Sequence, residues 1–191
     1  MDNLEKTTLA GGPARYALAS LAGGCFWCTE AIFKRLQGVS KVTSGYSGGK
    51  IDNPSYEEVS EGRSEHAECI QIEFDPKIIS FEKILEVFWH LIEPTTLNQQ
   101  GADVGTQYRS VIFYHSNEQK KIAEDSKKKT DQSDMYKDPV VTKIEEFKAF
   151  YPAEQYHQNY FERNSDKAYC QLIINPKIDK LIREFNDLVK K

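Results

Sequence analysis

The 191-residue chain has few cysteines, no excess of basic residues and no long apolar run. No stretch approaches the about 20 apolar residues that a membrane-spanning helix needs. Lysine and arginine total 25 against 29 aspartates and glutamates, whereas nucleic-acid-binding proteins usually carry a basic excess. Residues 1–12 are polar and lack the apolar centre of a secretory signal. We therefore expect a cytoplasmic protein whose partners include neither a membrane nor a nucleic acid.

The cysteines are too few to build a disulfide scaffold. Such scaffolds belong to short secreted chains that are rich in cysteine. A chain of this length buries about 70% of its unfolded surface and needs neither disulfide nor metal to fold. The four cysteines must therefore have other roles.

Strand-like and helix-like segments alternate along the chain without an evident linker. We predict a disordered leader at 1–13 and a single domain over 14–191. Strands are predicted at 16–22, 39–46, 67–74, 110–115, 140–144 and 170–174. Helices are predicted at 26–36, 81–92, 116–129, 153–163 and 175–188. The pattern indicates an α/β (α+β) fold in which helices pack on a mixed sheet.

Cys25 stands where the first predicted strand meets the first predicted helix, directly after Gly23 and Gly24. The glycines allow a tight turn and leave the space above it open. The first helical turn has unpaired N–H groups and the positive end of the helix dipole, which stabilise an anion. Cys25 is therefore a candidate thiolate of low pKa. The adjacent Phe26 and Trp27 are candidates to wall a small apolar pocket, since aromatic rings attract thioether groups.

The Cys25–Cys28 spacing has two less favoured interpretations. A zinc site would combine this pair with His66 and Cys69, but strand alternation directs His66 and Cys69 to opposite faces. A thioredoxin-like motif is the other alternative. Such motifs usually carry tryptophan before the first cysteine, whereas Trp27 lies between the two.

A carboxyl group falls on the apolar face of the strand predicted at 67–74. Alternation groups Glu68 with Ile70, Ile72 and Phe74. A carboxyl in such surroundings has a raised pKa and is able to hold a proton at neutral pH. Cys69 points the other way, which predicts a structural thiol.

The motifs of the chain together resemble the A-type peptide methionine sulfoxide reductases, from about Tyr16 to the last helix. The matching stretches are 24–27 with Glu30, 44–49, 53–56, 66–68, 101–110, 156–158 and 169–170. The resemblance implies a two-layer α/β sandwich related to ferredoxin-like plaits. It also implies reduction of methionine S-sulfoxide, free or in proteins, with thioredoxin as the reductant and no cofactor or metal.

The resemblance assigns roles to individual residues. Cys25 is the nucleophile, and Phe26 and Trp27 hold the substrate methyl group. Glu68 protonates the sulfoxide oxygen. Tyr56 and Tyr108 bind the same oxygen. Asp103 belongs to the wall of the site.

The sequence departs from the family pattern at two places. Glu65 stands where glycine is common, and an extra acid close to Glu68 would raise its proton affinity. No glycine-rich tail with recycling cysteines follows Cys170. The sulfenic acid left on Cys25 is therefore resolved to a disulfide by Cys28, which we favour, or by Cys170. We expect a monomer.

Overall fold

The computed structural model describes residues 16–191, so the predicted leader at 1–13 lies outside the described residues. The strands are β1 (Ala17–Ala22), β2 (Val39–Ser47), β3 (Ala67–Phe74), β4 (Gln99–Gln100), β5 (Asp103–Val104), β6 (Val111–Tyr114), β7 (Lys143–Glu146) and β8 (Phe150–Pro152). The α-helices are α1 (Phe26–Phe33), α2 (Tyr56–Ser60), α3 (Phe81–Leu91), α4 (Asn117–Asp131), α5 (Tyr160–Arg163) and α6 (Asn175–Phe185).

Six strands form one mixed sheet in the order β7-β6-β1-β3-β2-β8. Strand β3 pairs antiparallel with β1 and β2, β1 with β6, and β2 with β8, whereas β6 and β7 are parallel. Strands β4 and β5 form a separate hairpin. The predicted mixed sheet with packed helices is confirmed.

The main core lies between one face of the sheet and the helices. Residues of β1 and β3 that share this face are paired across the sheet, as Ala19 with Ile72 and Leu21 with Ile70. Helices α1 and α3 cover them with buried aromatic and aliphatic side chains such as Phe33 and Phe88. In α3 the buried residues recur at the three- and four-residue spacing of an amphipathic helix. No helix of the described chain is long and apolar enough to cross a membrane.

The strand predicted at 170–174 is wrong. Residues Cys170–Ile174 form a π-helical turn that continues directly into α6. The buried residues Cys170, Ile174 and Ile178 follow one another at intervals of four. This spacing belongs to a helix that packs one side against a neighbour, here α1.

The helix predicted at 153–163 is also wrong over most of its length. A 3₁₀ turn at Gln155–His157 is followed by the short helix α5. Asn159 has a φ of 53°, the left-handed conformation, which interrupts a continuous helix. The side chain of Gln158 instead bonds the backbone N–H and C=O of Ser44 at 3.0 and 2.8 Å, so that it continues the pairing of β2.

Two smaller differences concern elements near the site. The fifth predicted strand, 140–144, is displaced towards the C-terminus as β7. No helix was predicted at 56–60, but Ser55 caps α2. Its hydroxyl accepts a bond from the Glu58 N–H while the Glu58 carboxylate accepts one from the Ser55 N–H. This capping box fixes Tyr56 at the first position of the helix.

Candidate active site

Cys25 occupies the N-cap position of α1, and its carbonyl accepts a bond from the Cys28 N–H at 3.0 Å. Gly24 makes the preceding turn with a φ of 85°, which favours glycine. The space beside Gly24 is not open as expected, because a Cβ there would lie 2.7 Å from the side chain of Gln100. Cys25 is 8% exposed, so only a small part of the residue reaches the surface.

Glu68 lies beside Cys25, at the start of β3. Its Oε2 accepts a hydrogen bond of 2.9 Å from the backbone N–H of Phe26. The residue is 2% exposed and shares its face of the sheet with Tyr46 and Ile70, as the alternation predicted. Burial raises the pKa of Glu68 to about 8, although the Phe26 bond acts in the opposite direction. The carboxyl group therefore carries a proton at neutral pH.

Three of the four cysteines share one buried cluster. This thiol cluster consists of Cys25, Cys28, Ala31, Cys170, Ile174 and Ile178. Helix α1 supplies the first three residues, and the π-helical turn with α6 supplies the others. The turn and helix therefore cover the two sulfurs of α1 from the side opposite to the sheet.

The low pKa expected for Cys25 is wrong for the resting site. Burial raises the pKa of Cys25, and the neighbouring Cys28 and Glu68 raise it further. The hydrogen bond from the Cys25 thiol lowers the pKa of Cys28, and the Lys177 charge contributes in the same direction. Burial therefore disfavours the thiolate form of Cys25.

Tyr169 links the thiol cluster to Asp103. Its hydroxyl donates a hydrogen bond of 2.9 Å to Oδ2 of Asp103 and lies 3.8 Å from Sγ of Cys28. The ring meets the edge of Trp27 at a centroid distance of 5.7 Å. Asp103 belongs to the β4–β5 hairpin, so this contact joins the hairpin to the C-terminal segment.

Aromatic rings form a wall around Trp27, two residues after Cys25. Trp27 stacks on Tyr160 at a centroid distance of 3.6 Å, with the rings 6° from parallel. The Trp27 indole N–H donates to Nδ1 of His157 at 3.1 Å. The His157 ring lies 5.0 Å from Phe26 and 4.5 Å from Tyr56. The indole is thus fixed in orientation by one stacked ring and one hydrogen bond.

Tyr56 and Tyr108 are half-buried and lie within the electrostatic reach of Glu68 and Cys25. Burial raises the pKa of Tyr56 to about 12 and that of Tyr108 further. Both hydroxyls therefore remain protonated donors throughout the physiological range. Glu154 holds Tyr56 in place by accepting its backbone N–H at 2.9 Å.

The structure does not assemble the four residues of the zinc interpretation. Both ring nitrogens of His66 are bonded to the backbone of the 49–51 loop, and Cys69 packs in a separate cluster behind the sheet. Among residues 16–191, no three His, Cys, Asp or Glu side chains are placed to hold a metal ion. Glu65 is also outside the site, because its carboxylate pairs with Lys50 at 2.7 Å on the surface.

Sequence reasoning gave no individual role to Tyr169, His157 or Tyr160. Tyr169 and His157 lie in two motifs that carry the family resemblance, 169–170 and 156–158. Their place in these motifs is the signal that could have identified them as site residues. Tyr160 follows the left-handed Asn159, whose backbone N–H is held at 2.9 Å by the buried carboxylate of Glu30. Nothing local in the sequence indicates that this bond turns Tyr160 onto Trp27.

Comparison with known proteins identifies the family of this chain. The family model for peptide methionine sulfoxide reductase matches residues 17–188. The peptide methionine sulfoxide reductase MsrA of Polynucleobacter asymbioticus is 52% identical over 171 residues, covering 90% of each chain. The MsrA of Leptospira borgpetersenii is 54% identical over 165 residues, covering 86% of this chain and 93% of that protein. The crystal structure of reduced Mxr1 from Saccharomyces cerevisiae is similar with a TM-score of 0.70 and 34% identity, covering 88% of this chain and 96% of that one. The chain therefore belongs to the peptide methionine sulfoxide reductase family.

Proposed function

We propose that Cys25 and Glu68 reduce methionine S-sulfoxide, the first as nucleophile and the second as acid. The observation that carries the proposal is the hydrogen bond between Glu68 and the N–H of Phe26. It holds a buried, protonated carboxyl group beside the nucleophilic thiol at the start of α1. Sulfoxide reduction needs this pair, because the oxygen must be protonated as the sulfur is attacked.

The aromatic wall supports the placement of the substrate. Phe26 and Trp27 receive the methyl group attached to the sulfoxide sulfur, since thioether and aromatic groups attract each other. Tyr56 and Tyr108 donate hydrogen bonds to the oxygen, which fixes one epimer relative to Cys25. A groove of about 580 Å³, lined in part by Asp103, Tyr169 and Leu172, opens beside the site. It provides room for a polypeptide around the oxidised residue, so both free and protein-bound substrates are accommodated.

The first step transfers oxygen from the substrate to Cys25. The Cys25 sulfur attacks the sulfoxide sulfur as its proton passes to Cys28. Glu68 gives its proton to the oxygen, which moves to Cys25 as a sulfenic acid. Methionine leaves, reduced by two electrons. Glu68 then regains a proton from water, because its pKa lies near 8.

The second step forms a disulfide, and the structure supports Cys28 as its partner over Cys170. Cys28 lies on the same helical turn as Cys25 and shares a hydrogen bond with it. Burial and the Cys28 charge raise the pKa of Cys170, which favours its neutral, less reactive form. Thioredoxin then reduces the disulfide by thiol exchange.

This cycle needs neither a second subunit nor a cofactor. All three thiols belong to one domain over 14–191, so a monomer suffices, and no cofactor takes part. The dithiol is regenerated only in a reducing compartment such as the cytoplasm. The proposed role of the enzyme is repair of oxidised proteins.

A relation of the fold to ferredoxin-like plaits is supported by the strand order β6-β1-β3-β2, with α1 and α3 as the two crossover helices.

The test measures methionine released from methionine S-sulfoxide in a single turnover. Cys25→Ser is expected to release none, whereas Cys69→Ala, which removes the thiol behind the sheet, is expected to act like the wild type. Methionine release by Cys25→Ser would refute the proposal. Mapping the disulfide after one equivalent of substrate identifies the partner: Cys28→Ser is expected to lose it and Cys170→Ser to keep it. A disulfide formed at the normal rate in Cys28→Ser would assign the role to Cys170.

A further inference from the structure

Tyr169 connects the proposed resolving thiol to a carboxylate. Its hydroxyl lies 3.8 Å from Sγ of Cys28 and donates to Oδ2 of Asp103 at 2.9 Å. A tyrosine hydroxyl has one proton to give and accepts another on its oxygen. While it donates to Asp103, its oxygen therefore retains a lone pair that accepts the proton of Cys28. In the reduced site the hydroxyl also contacts the Cys25 thiol.

We infer that Tyr169 is a catalytic residue of disulfide formation, where its hydroxyl passes the proton of Cys28 to Asp103. The inference rests on the proposed function, in which Cys28 attacks the sulfenic acid of Cys25. It gives Asp103 a task other than lining the substrate pocket. It concerns the proton of Cys28 in the second step, whereas Glu68 gives a proton to the oxygen in both steps.

The need for this relay follows from the change at Cys25. In the reduced site, the hydrogen bond from the Cys25 thiol is the main cause that lowers the pKa of Cys28. The first step consumes that thiol and leaves Cys28 protonated. Cys28 is 1% exposed, so water has little access to it. The titratable groups that remain near Cys28 are Tyr169, Lys177, Asp103, Glu68 and Cys170.

Of these groups, only Tyr169 is recorded within hydrogen-bonding distance of the Cys28 sulfur over the described residues. Lys177 is a cation and has no lone pair to accept a proton. Glu68 is needed on the oxygen of the sulfenic acid. The route through Tyr169 to Asp103 therefore joins the buried thiol to the half-buried carboxylate of the hairpin.

The Cys28 sulfur attacks the Cys25 sulfur, and an S–S bond forms as the S–O bond breaks. The thiol proton moves to the Tyr169 oxygen while the Tyr169 proton moves to Asp103. The departing hydroxide takes a proton from Glu68 and leaves as water. The sulfenic sulfur is reduced, Cys28 is oxidised, and Asp103 afterwards loses its proton to solvent.

The first test uses Tyr169→Phe, which keeps the ring against Trp27 and removes the hydroxyl. Reduced protein is mixed with one equivalent of methionine S-sulfoxide, and disulfide and dimedone-trapped sulfenic acid are followed with time. We expect disulfide formation to slow about 100-fold and sulfenic acid to accumulate. Tyr151→Phe is the matched control, because it removes a hydroxyl bonded at 2.5 Å to Asp52 outside the site. An unchanged disulfide rate in Tyr169→Phe would overturn the inference.

The second test uses Asp103→Asn, for which electrostatics and proton transfer predict opposite results. The Asp103 charge raises the pKa of Cys28, so its removal alone would produce more thiolate and faster disulfide formation. The relay predicts slower formation, by about tenfold or more, because an amide does not accept the proton. Disulfide formation as fast as in the wild type, or faster, would overturn the inference.

A pH series separates proton transfer from structural damage. The relay predicts that the Tyr169→Phe defect in disulfide formation shrinks as the pH rises, because a larger fraction of Cys28 is then thiolate and needs no proton acceptor. A defect of constant size across the series would indicate a packing role and contradict the inference. Failure of the proposed function is seen separately, as absent methionine release or as normal disulfide formation in Cys28→Ser.

Discussion

The Phe26 backbone N–H donates a hydrogen bond of 2.9 Å to Glu68, which ties the start of α1 to the start of β3. The bond joins the residue after Cys25, the proposed nucleophile, to the carboxyl group that we propose as the acid. The two are 42 positions apart in the chain, and the core between sheet and helix fixes their separation.

Replacing Glu68 with glutamine tests the acid. The amide keeps the size of the side chain and an oxygen for the Phe26 N–H, but it has no acidic proton. We expect methionine release in the first turnover to slow by about 100-fold or more. In the wild type, the same rate should fall as the pH rises through about 8, because Glu68 loses its proton there. A Glu68→Gln protein with the wild-type rate and pH profile would exclude Glu68 as the acid.

Glu68→Gln is also expected to change how the free energy of unfolding depends on pH. Glu68 has a pKa of about 8 in the fold against 4.5 for the free group, so folding favours its protonated form. The stability that this form provides is present below pH 4.5 and is lost as the pH rises through 8. Glutamine does not titrate. Urea unfolding at pH 5 and 9 should therefore show the wild type losing up to a few kcal/mol relative to Glu68→Gln, and parallel curves would contradict this.

The stack of Tyr160 on Trp27 predicts an effect on substrate binding. Tyr160→Leu removes the ring that holds the indole plane, and about 1 kcal/mol of aromatic contact with it. We expect KM for methionine sulfoxide to rise about fivefold, with a smaller change in kcat. Tyr160→Phe retains the ring and serves as the control. Equal KM values for the leucine and phenylalanine variants would show that the stack does not shape the pocket.

Glu30 anchors the segment that carries this ring. Its buried Oε1 accepts the backbone N–H of Asn159 at 2.9 Å, and Glu30→Ala leaves that N–H without its partner. We expect a loss of about 1–3 kcal/mol in the free energy of unfolding, measured in urea. Glu30→Gln retains an oxygen acceptor and should lose less. If the two variants were equally stable, the bond to Asn159 would not be what anchors the segment.

The local pattern of the sequence predicted the parts of the site that lie on regular elements. Alternation in β3 placed Glu68 on the apolar face, and the glycine pair placed Cys25 at a helix start. The C-terminal segment was misjudged because a short apolar run fits a strand or a buried helix equally well. The protonation of Cys25 was misjudged for another reason. The residues that pack around Cys25 include Cys170, Ile174 and Ile178, which lie far along the chain. No local pattern of the sequence therefore predicts the burial of Cys25.

The alternation of β3 also separates one cysteine from the other three. Cys69 is fully buried on the reverse face, among Ala67, Val111 and Phe113, and burial raises its pKa. One layer of backbone thus lies between this thiol and the three that share the other cluster. An enzyme that oxidises its cysteines in every cycle is inactivated when the wrong pair of cysteines forms a disulfide. The sheet keeps Cys69 apart from the other three sulfurs, so we expect no disulfide between Cys69 and any of them.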